Sequence, residues 1–409
     1  MKQASIVTIG NEILAGLTVD TNAAFLAIEL QNIGIPVVSS YTVGDEIDAI
    51  VQKLNLASSD ADVIVVTGGL GPTDDDITRQ AFAKFLGVEL ELREEIFQRL
   101  IDFFKSRNIP MPEKNKVQAY IPSGAEYIPN VGTAPGIIAR NEGKMLIALP
   151  GVPWEADKMF KFVIPELKEF AGTQAIEVCR LKCFGLGESV IAEMLGDKML
   201  RGRNPLVNCT VHDGIITLHI VASAENSEKA IQKCREEEKK LREVLGDLVY
   251  GSGDETLAEA VSKKLALQGK TIATAESCTG GLLSKMLTDI SGSSNYFNYG
   301  WITYSNKAKI TQLDVPADLI EQYGAVSEQV AKEMAQGARK KSGADFAIAI
   351  TGIAGPTGGS EQKPVGLVYI CVDYDGGCDV KQCFFTFGRE FTRLRAAHTA
   401  LNMLRQRLG

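Results

Sequence analysis

The chain has 409 residues, 45% of them apolar and 23% charged, with a formal charge of −8. That is too long for one ordinary domain and has the make-up of a soluble globular protein, so two or three domains are expected. The negative balance gives no general pull toward nucleic acid or an anionic membrane, and no apolar run approaches the roughly 20 residues of a membrane span.

In chain order, Ala4 to Ile9 reads as a buried strand, and Asn11-Glu12 interrupts the apolar opening too early for a signal peptide. Asp20-Thr21-Asn22 reads as the cap of a helix carrying Phe25, Leu26, Ile28, Leu30 and Ile33, ended by Gly34. A second strand covers Ile35 to Val43, a helix about Asp45 to Leu56, and a third strand Asp62 to Thr67. Such alternation predicts a doubly wound, mostly parallel sheet, with ligands off the carboxyl ends of its strands. There stands Thr67-Gly68-Gly69-Leu70-Gly71-Pro72-Thr73-Asp74-Asp75-Asp76-Ile77-Thr78, neither a Walker loop nor a dinucleotide fingerprint. Its glycines let backbone N–H groups approach phosphate. Three aspartates repel a bare phosphate, so Asp75 and Asp76 make sense with a divalent cation (Mg, Mn or Co type) between. The competing reading is an acidic cap, Asp74 above all, on the helix beginning near Ile77.

This segment, with Gly10-Asn11-Glu12-Ile13-Leu14, Gly132-Thr133-Ala134-Pro135-Gly136 and Leu149-Pro150-Gly151-Val152-Pro153, resembles the MoaB/MogA-like domain shared by molybdopterin-binding proteins and the N-terminal part of CinA proteins. The likeness covers about residues 1–170, and the form of the glycine loop is nearer to CinA. The resemblance implies metal-dependent cleavage of ADP-ribose, with Asp75 and Asp76 on the metal and Gly68, Gly69, Gly71 and Asn22 as ligand contacts. Glu12 is a further candidate.

Residues 172–252 read as a small α+β module: strand 175–184, helix 188–199, strands 206–212 and 215–222 joined by the hairpin signal Asp213-Gly214, helix 227–245 and strand 248–250. The corresponding piece of CinA proteins is described as KH-like. Glu188 in Gly185-Leu186-Gly187-Glu188 opposes a phosphate clamp, so the module is read as a spacer and dimerisation element.

In the last part, Thr271 to Ala273 reads as a buried strand and Leu282 to Leu287 as a helix, with Ala275-Glu276-Ser277-Cys278-Thr279-Gly280-Gly281 as the turn between. A hydroxyl beside a helix start suits a nucleophile, because free amides there can hold an oxyanion. None of His212, His219 and His398 is placed as its base, whereas Thr303-Tyr304-Ser305-Asn306-Lys307-Ala308-Lys309 suggests a Ser–Lys arrangement. Ser277 or Thr279 acting only as a cap, and Cys278 as a rival nucleophile, stay open.

These motifs, with Gly292-Ser293-Ser294 and Thr351-Gly352-Ile353-Ala354-Gly355-Pro356, resemble the nicotinamide mononucleotide deamidase domain of CinA proteins from about Asp254 onward. The resemblance implies hydrolysis of the carboxamide to nicotinate mononucleotide and ammonia without a cofactor. Ser277 would be the nucleophile, Lys309 its base and Tyr304 an assistant. Gly280, Gly281, Ser294, Thr351 and Gly352 would contribute to the pocket. The family also places an arginine on the substrate phosphate, and Phe387-Gly388-Arg389-Glu390-Phe391-Thr392-Arg393 leaves Arg389 and Arg393 both open.

The expected architecture is therefore α/β throughout: a MoaB/MogA-like domain over 1–171, the α+β module over 172–252 and an α/β amidase domain over 253–409. Eight scattered cysteines without a Cys-x-x-Cys pair predict reduced thiols, no structural zinc and a cytoplasmic setting. The leading expectation is a bifunctional, homodimeric salvage enzyme. A competence or DNA-damage adaptor, and a molybdopterin-binding domain fused to an amidase, are the alternatives.

Overall fold

The computed structural model describes residues 2–172 and 175–409; Met1 and positions 173–174, at the expected start of the middle module, lie outside the described residues. Two compact units are present, one running to Val178 and including Val221–Cys234, the other formed by Cys179–Ile220 and Arg235–Gly409.

The first unit contains a six-stranded sheet in the order Val37–Val43, Ala4–Ile9, Val63–Thr67, Lys144–Leu149, Gly136–Asn141, Glu126–Ile128. The first three pairings are parallel and the last two antiparallel. Side chains alternate across a strand, and here both faces are apolar. Val7, Ile9, Ile64 and Val66 pack with Ile50, Leu54, Phe82 and Leu100 on one side. Ile6, Val63, Val65 and Ile147 pack with Leu26, Leu30, Phe160 and Leu167 on the other. Asp20 caps the helix Thr21–Asn32 through the Ala23 N–H, as its position in the sequence predicts. The helix Thr78–Leu86 differs from expectation: Ile77 is its N-cap with no side-chain bond, and Asp74 pairs with Lys114 in solvent.

A four-stranded sheet has the order Leu206–His212, Ile215–Ala224, Ala175–Cys183, Val249–Ser252. Asp213 and Gly214 both take positive φ (52° and 73°), the two-residue turn that matches strand twist. The helix expected over 188–199 stops at Leu195, and Gly196 turns the chain into a 3-10 segment.

The second unit is built on a five-stranded sheet in the order Phe297–Ile302, Ile272–Glu276, Phe346–Gly352, Leu367–Tyr374, Gly377–Phe384. Its first two pairings are parallel and the others antiparallel. The helix Arg389–Arg407 buries Ala396, Ala400, Leu401 and Leu404 against one apolar cluster. The helix Glu328–Ser342 buries Val330, Ala331, Met334 and Ala338 in the other.

The short helix Asn306–Leu313 starts at Ser305, whose hydroxyl accepts the Ala308 N–H at 3.1 Å, and ends where Asp314 turns left-handed at φ 59°. Its inward stripe is Lys309 and Leu313, an i, i+4 pair, so a lysine stands where a core residue belongs. Close packing fixes this helix, because a Cβ at Gly337 would overlap the Leu313 carbonyl. Gly337→Ala should therefore cost about 1–3 kcal/mol, read as a lower urea midpoint; an unchanged midpoint would mean that the helices yield freely.

Candidate active sites

The strand Ile272–Glu276 delivers Ser277 into a turn before the helix Leu282–Thr288. Ser277 is 8% exposed and Lys309 only 1% exposed. The Lys309 Nζ stands 3.0 Å from the Ser277 Oγ and donates to the Thr303 carbonyl at 2.8 Å. Burial pushes the Lys309 ammonium down to about 8 from its ordinary 10.5, because removal from water penalises the charged form. An amine in that range carries a usable lone pair near neutral pH.

Cys278, the rival nucleophile, has no comparable activation. Burial pushes its thiol up to about 11, so it stays protonated where Lys309 begins to deprotonate. A Cβ on Gly352 would stand 3.1 Å from its sulfur, which fixes Gly352 as the close-packed floor behind the turn.

The helix start does not serve as expected. The N–H groups of Gly281, Leu283 and Ser284 donate to the buried Glu276 carboxylate at 3.0, 3.1 and 2.8 Å, and the Ser284 hydroxyl adds a fourth bond at 2.6 Å. Gly280 donates to the Ser277 carbonyl, and the Ser277 N–H to Ile350. Among the described residues, the donors left in the turn are the amides of Cys278 and Thr279 and the buried Thr279 hydroxyl.

Other predicted residues divide. Tyr304 is 59% exposed, and its hydroxyl accepts from Arg389 at 3.2 Å rather than bonding to Ser277 or Lys309. Arg389 also donates to the Gly355 carbonyl, while Arg393 donates to the Thr279 carbonyl at 2.7 Å. Arg393 thus touches the serine turn, whereas Arg389 meets Gly355 and Tyr304. Thr351 is buried and spends its hydroxyl proton on the Ala325 carbonyl. Ser294 lies exposed in the short turn Ser293–Asn295, with no hydrogen bond to the Ser–Lys pair. Gly280 and Gly281 take φ 58° and 94°, which the tight turn requires.

In the N-terminal unit the glycine loop borders a cavity of about 440 Å³. A Cβ on Gly68 would overlap the Ile9 carbonyl, so the loop can leave its strand only at glycine. Gly69 and Gly71 press equally closely on the Thr78 hydroxyl and the Asp76 carboxylate. Asp76 accepts from the N–H groups of Gly71 and Thr73 at 2.7 and 2.9 Å and from the Thr73 hydroxyl at 2.5 Å. It closes the loop on itself and does not act as one half of a carboxylate pair with Asp75. Asp75 is exposed. Asn22 spends its amide protons on Thr67 and the Gly151 carbonyl at 2.9 and 2.8 Å, leaving its oxygen for a ligand.

Six carboxylates line this cavity, Glu12, Asp20, Asp45, Asp75, Asp76 and Glu155, and no lysine, arginine or histidine does. Among the described residues no three His, Cys, Asp or Glu side chains gather around one point. The donor set therefore fits a hard divalent cation held by one or two carboxylates with water and ligand phosphate, and not an all-protein cage.

Sequence reasoning missed two residues. Arg79, 1% exposed, donates to the Leu70 and Gly71 carbonyls at 2.7 and 2.6 Å and so holds the loop from beneath. Its signal is a charge two residues before Ala81 and three before Phe82, on a buried helix face. Glu276 was visible only as a carboxylate ending the apolar strand Ile272–Glu276. No helix among the described residues is long and apolar enough to cross a membrane.

Three family models match in succession: "Probable molybdopterin binding domain" over residues 5–169, "Damage-inducible protein CinA KH domain" over 180–251 and "CinA C-terminal domain" over 254–408. A relative from Clostridium perfringens, named as competence-damage inducible, is 43% identical over 99% of both chains. A CinA-like protein of Syntrophomonas wolfei is 42% identical over 100% of this chain and 99% of its own. Among solved structures, the competence/damage inducible protein CihA from Agrobacterium tumefaciens is 44% identical, covering 36% of this chain and 91% of that one with a TM-score of 0.36. Identity of this order along the whole of both chains, with the three domain models matched in order, means that the chain belongs to the CinA family.

Proposed function

We propose that this chain is a bifunctional hydrolase of pyridine-nucleotide salvage, deamidating nicotinamide mononucleotide in its C-terminal domain and cleaving ADP-ribose in its N-terminal domain. The observation that carries the first activity is the 3.0 Å contact between the Ser277 hydroxyl and a buried lysine amine whose proton is loosened to about 8. Neutral Lys309 takes the Ser277 proton as Oγ attacks the carboxamide carbon. The amides of Cys278 and Thr279 are the donors for the oxyanion that forms. The lysine then returns its proton to the departing ammonia, leaving an ester on Ser277. Water, deprotonated by the same amine, cleaves that ester to nicotinate mononucleotide and free serine. Arg389 and Arg393, with fixed positive charge, suit the substrate phosphate.

The second activity is supported by the all-acidic cavity, which cannot take a diphosphate without a cation. A divalent ion bound there would neutralise the phosphates and polarise phosphorus toward water. Asp75 would hold it, the Gly68–Gly71 backbone would face the phosphates, and Asp76 and Arg79 keep that backbone in place. The match of residues 5–169 to a molybdopterin-binding model supports a second reading, in which the cavity takes an anionic pterin instead. A homodimer is proposed from the middle module.

Ser277→Ala should abolish ammonia release from nicotinamide mononucleotide, by about 10³-fold or more, with an unaltered melting curve; persistent turnover would refute the nucleophile. Because the base must be neutral, kcat should fall about tenfold per pH unit below about 8 and level off above it. The sign for stability agrees: a folded value below 10.5 means that protonated Lys309 opposes folding, so this penalty is full below about 8 and is relieved as pH rises toward 10.5. A profile flat from pH 6 to 9 would exclude Lys309 as base. Asp75→Asn should remove chelator-sensitive ADP-ribose cleavage while sparing ammonia release, products being identified by mass. An inert purified chain would favour the adaptor reading.

A further inference from the structure

We propose that Glu276 is a positioning residue of the serine site, holding the nucleophile turn through its buried carboxylate and the lysine's anchor through its carbonyl. The proposal rests on Ser277 being the nucleophile. A carboxylate that is 0% exposed is tolerated only where donors replace water. All four of its partners are neutral groups lying beyond the nucleophile, in Gly281, Leu283 and Ser284. The Ser284 hydroxyl is itself braced 2.8 Å from that of Thr274, on the same strand as Glu276.

This is not an ordinary helix cap. The N-cap position is Gly281 at φ 94°, with no side chain to offer, and the capping carboxylate reaches across from five residues earlier. Its side chain closes a ring around Ser277, Cys278, Thr279 and Gly280. Three amides at the helix start are spent on this carboxylate, and that of Leu282 on the Thr279 carbonyl.

The same residue acts on the base. The Glu276 carbonyl accepts the Thr303 N–H at 2.8 Å, and the Thr303 carbonyl accepts the Lys309 Nζ at 2.8 Å. Nucleophile and lysine are therefore both referred to one residue, the turn through its side chain and the lysine through its backbone carbonyl.

The test uses the full chain and two readouts, kcat against KM for nicotinamide mononucleotide and the rate at which a fluorophosphonate probe labels Ser277. Glu276→Gln keeps the shape but turns an NH₂ toward amide donors. It should lower kcat about 100-fold, the cost of a small misplacement, with KM changed less than about threefold and labelling slowed in parallel. Ser284→Ala removes one of the four bonds and should slow labelling about fivefold with a cooperative melt retained. Parental kcat and labelling in a folded Glu276→Gln chain would reduce Glu276 to a structural cap and overturn the proposal. Should that variant not fold, parental labelling in Ser284→Ala would overturn it. A parent chain that is itself unlabelled and releases no ammonia would instead remove the Ser277 reading on which the proposal stands.

Discussion

A lysine amine kept out of water with one hydroxyl and one carbonyl for company is the constraint on which the C-terminal site depends. Charged amines are expensive to bury, and among the described residues no carboxylate is bonded to Lys309 to offset that cost. The helix that carries it, eight residues long, capped by Ser305, halted at Asp314 and pressed on Gly337, leaves the side chain 1% exposed. Desolvation thereby loosens the amine's proton without help from a histidine or a carboxylate. The cost is shared with the core around Leu313, so reactivity and packing are set by the same contacts.

The N-terminal cavity solves the opposite electrostatic problem. Its walls repel anions, and its loop is held open by a buried arginine that never reaches the cavity. Burial draws the Arg79 proton affinity down to about 10, still far above neutrality, so the guanidinium remains a fixed cation beneath the glycine backbone. Positive charge lies behind the loop and negative charge in front of it.

What could be read from the sequence follows from local physics. The strands Ala4–Ile9 and Val63–Thr67 declare themselves because both faces are apolar, and Asp213-Gly214 because few dipeptides accept two positive φ values. Ser277 and Lys309 stood out as chemistry-bearing residues on short motifs, and the fold brings them together. Side-chain direction was not legible. Asp75 and Asp76 are adjacent and chemically identical, yet one faces solvent and the other stitches its own loop. Tyr304 could not be separated from Lys309 by spacing, and only the approach of Arg389 takes its hydroxyl elsewhere. Glu276 escaped notice because its partners begin five residues away, outside any helical or strand period.

The bond from Arg393 to the Thr279 carbonyl joins positions 114 residues apart. The serine turn is thus braced by a helix far along the chain, and its final shape waits on the packing of Arg389–Arg407 against the sheet.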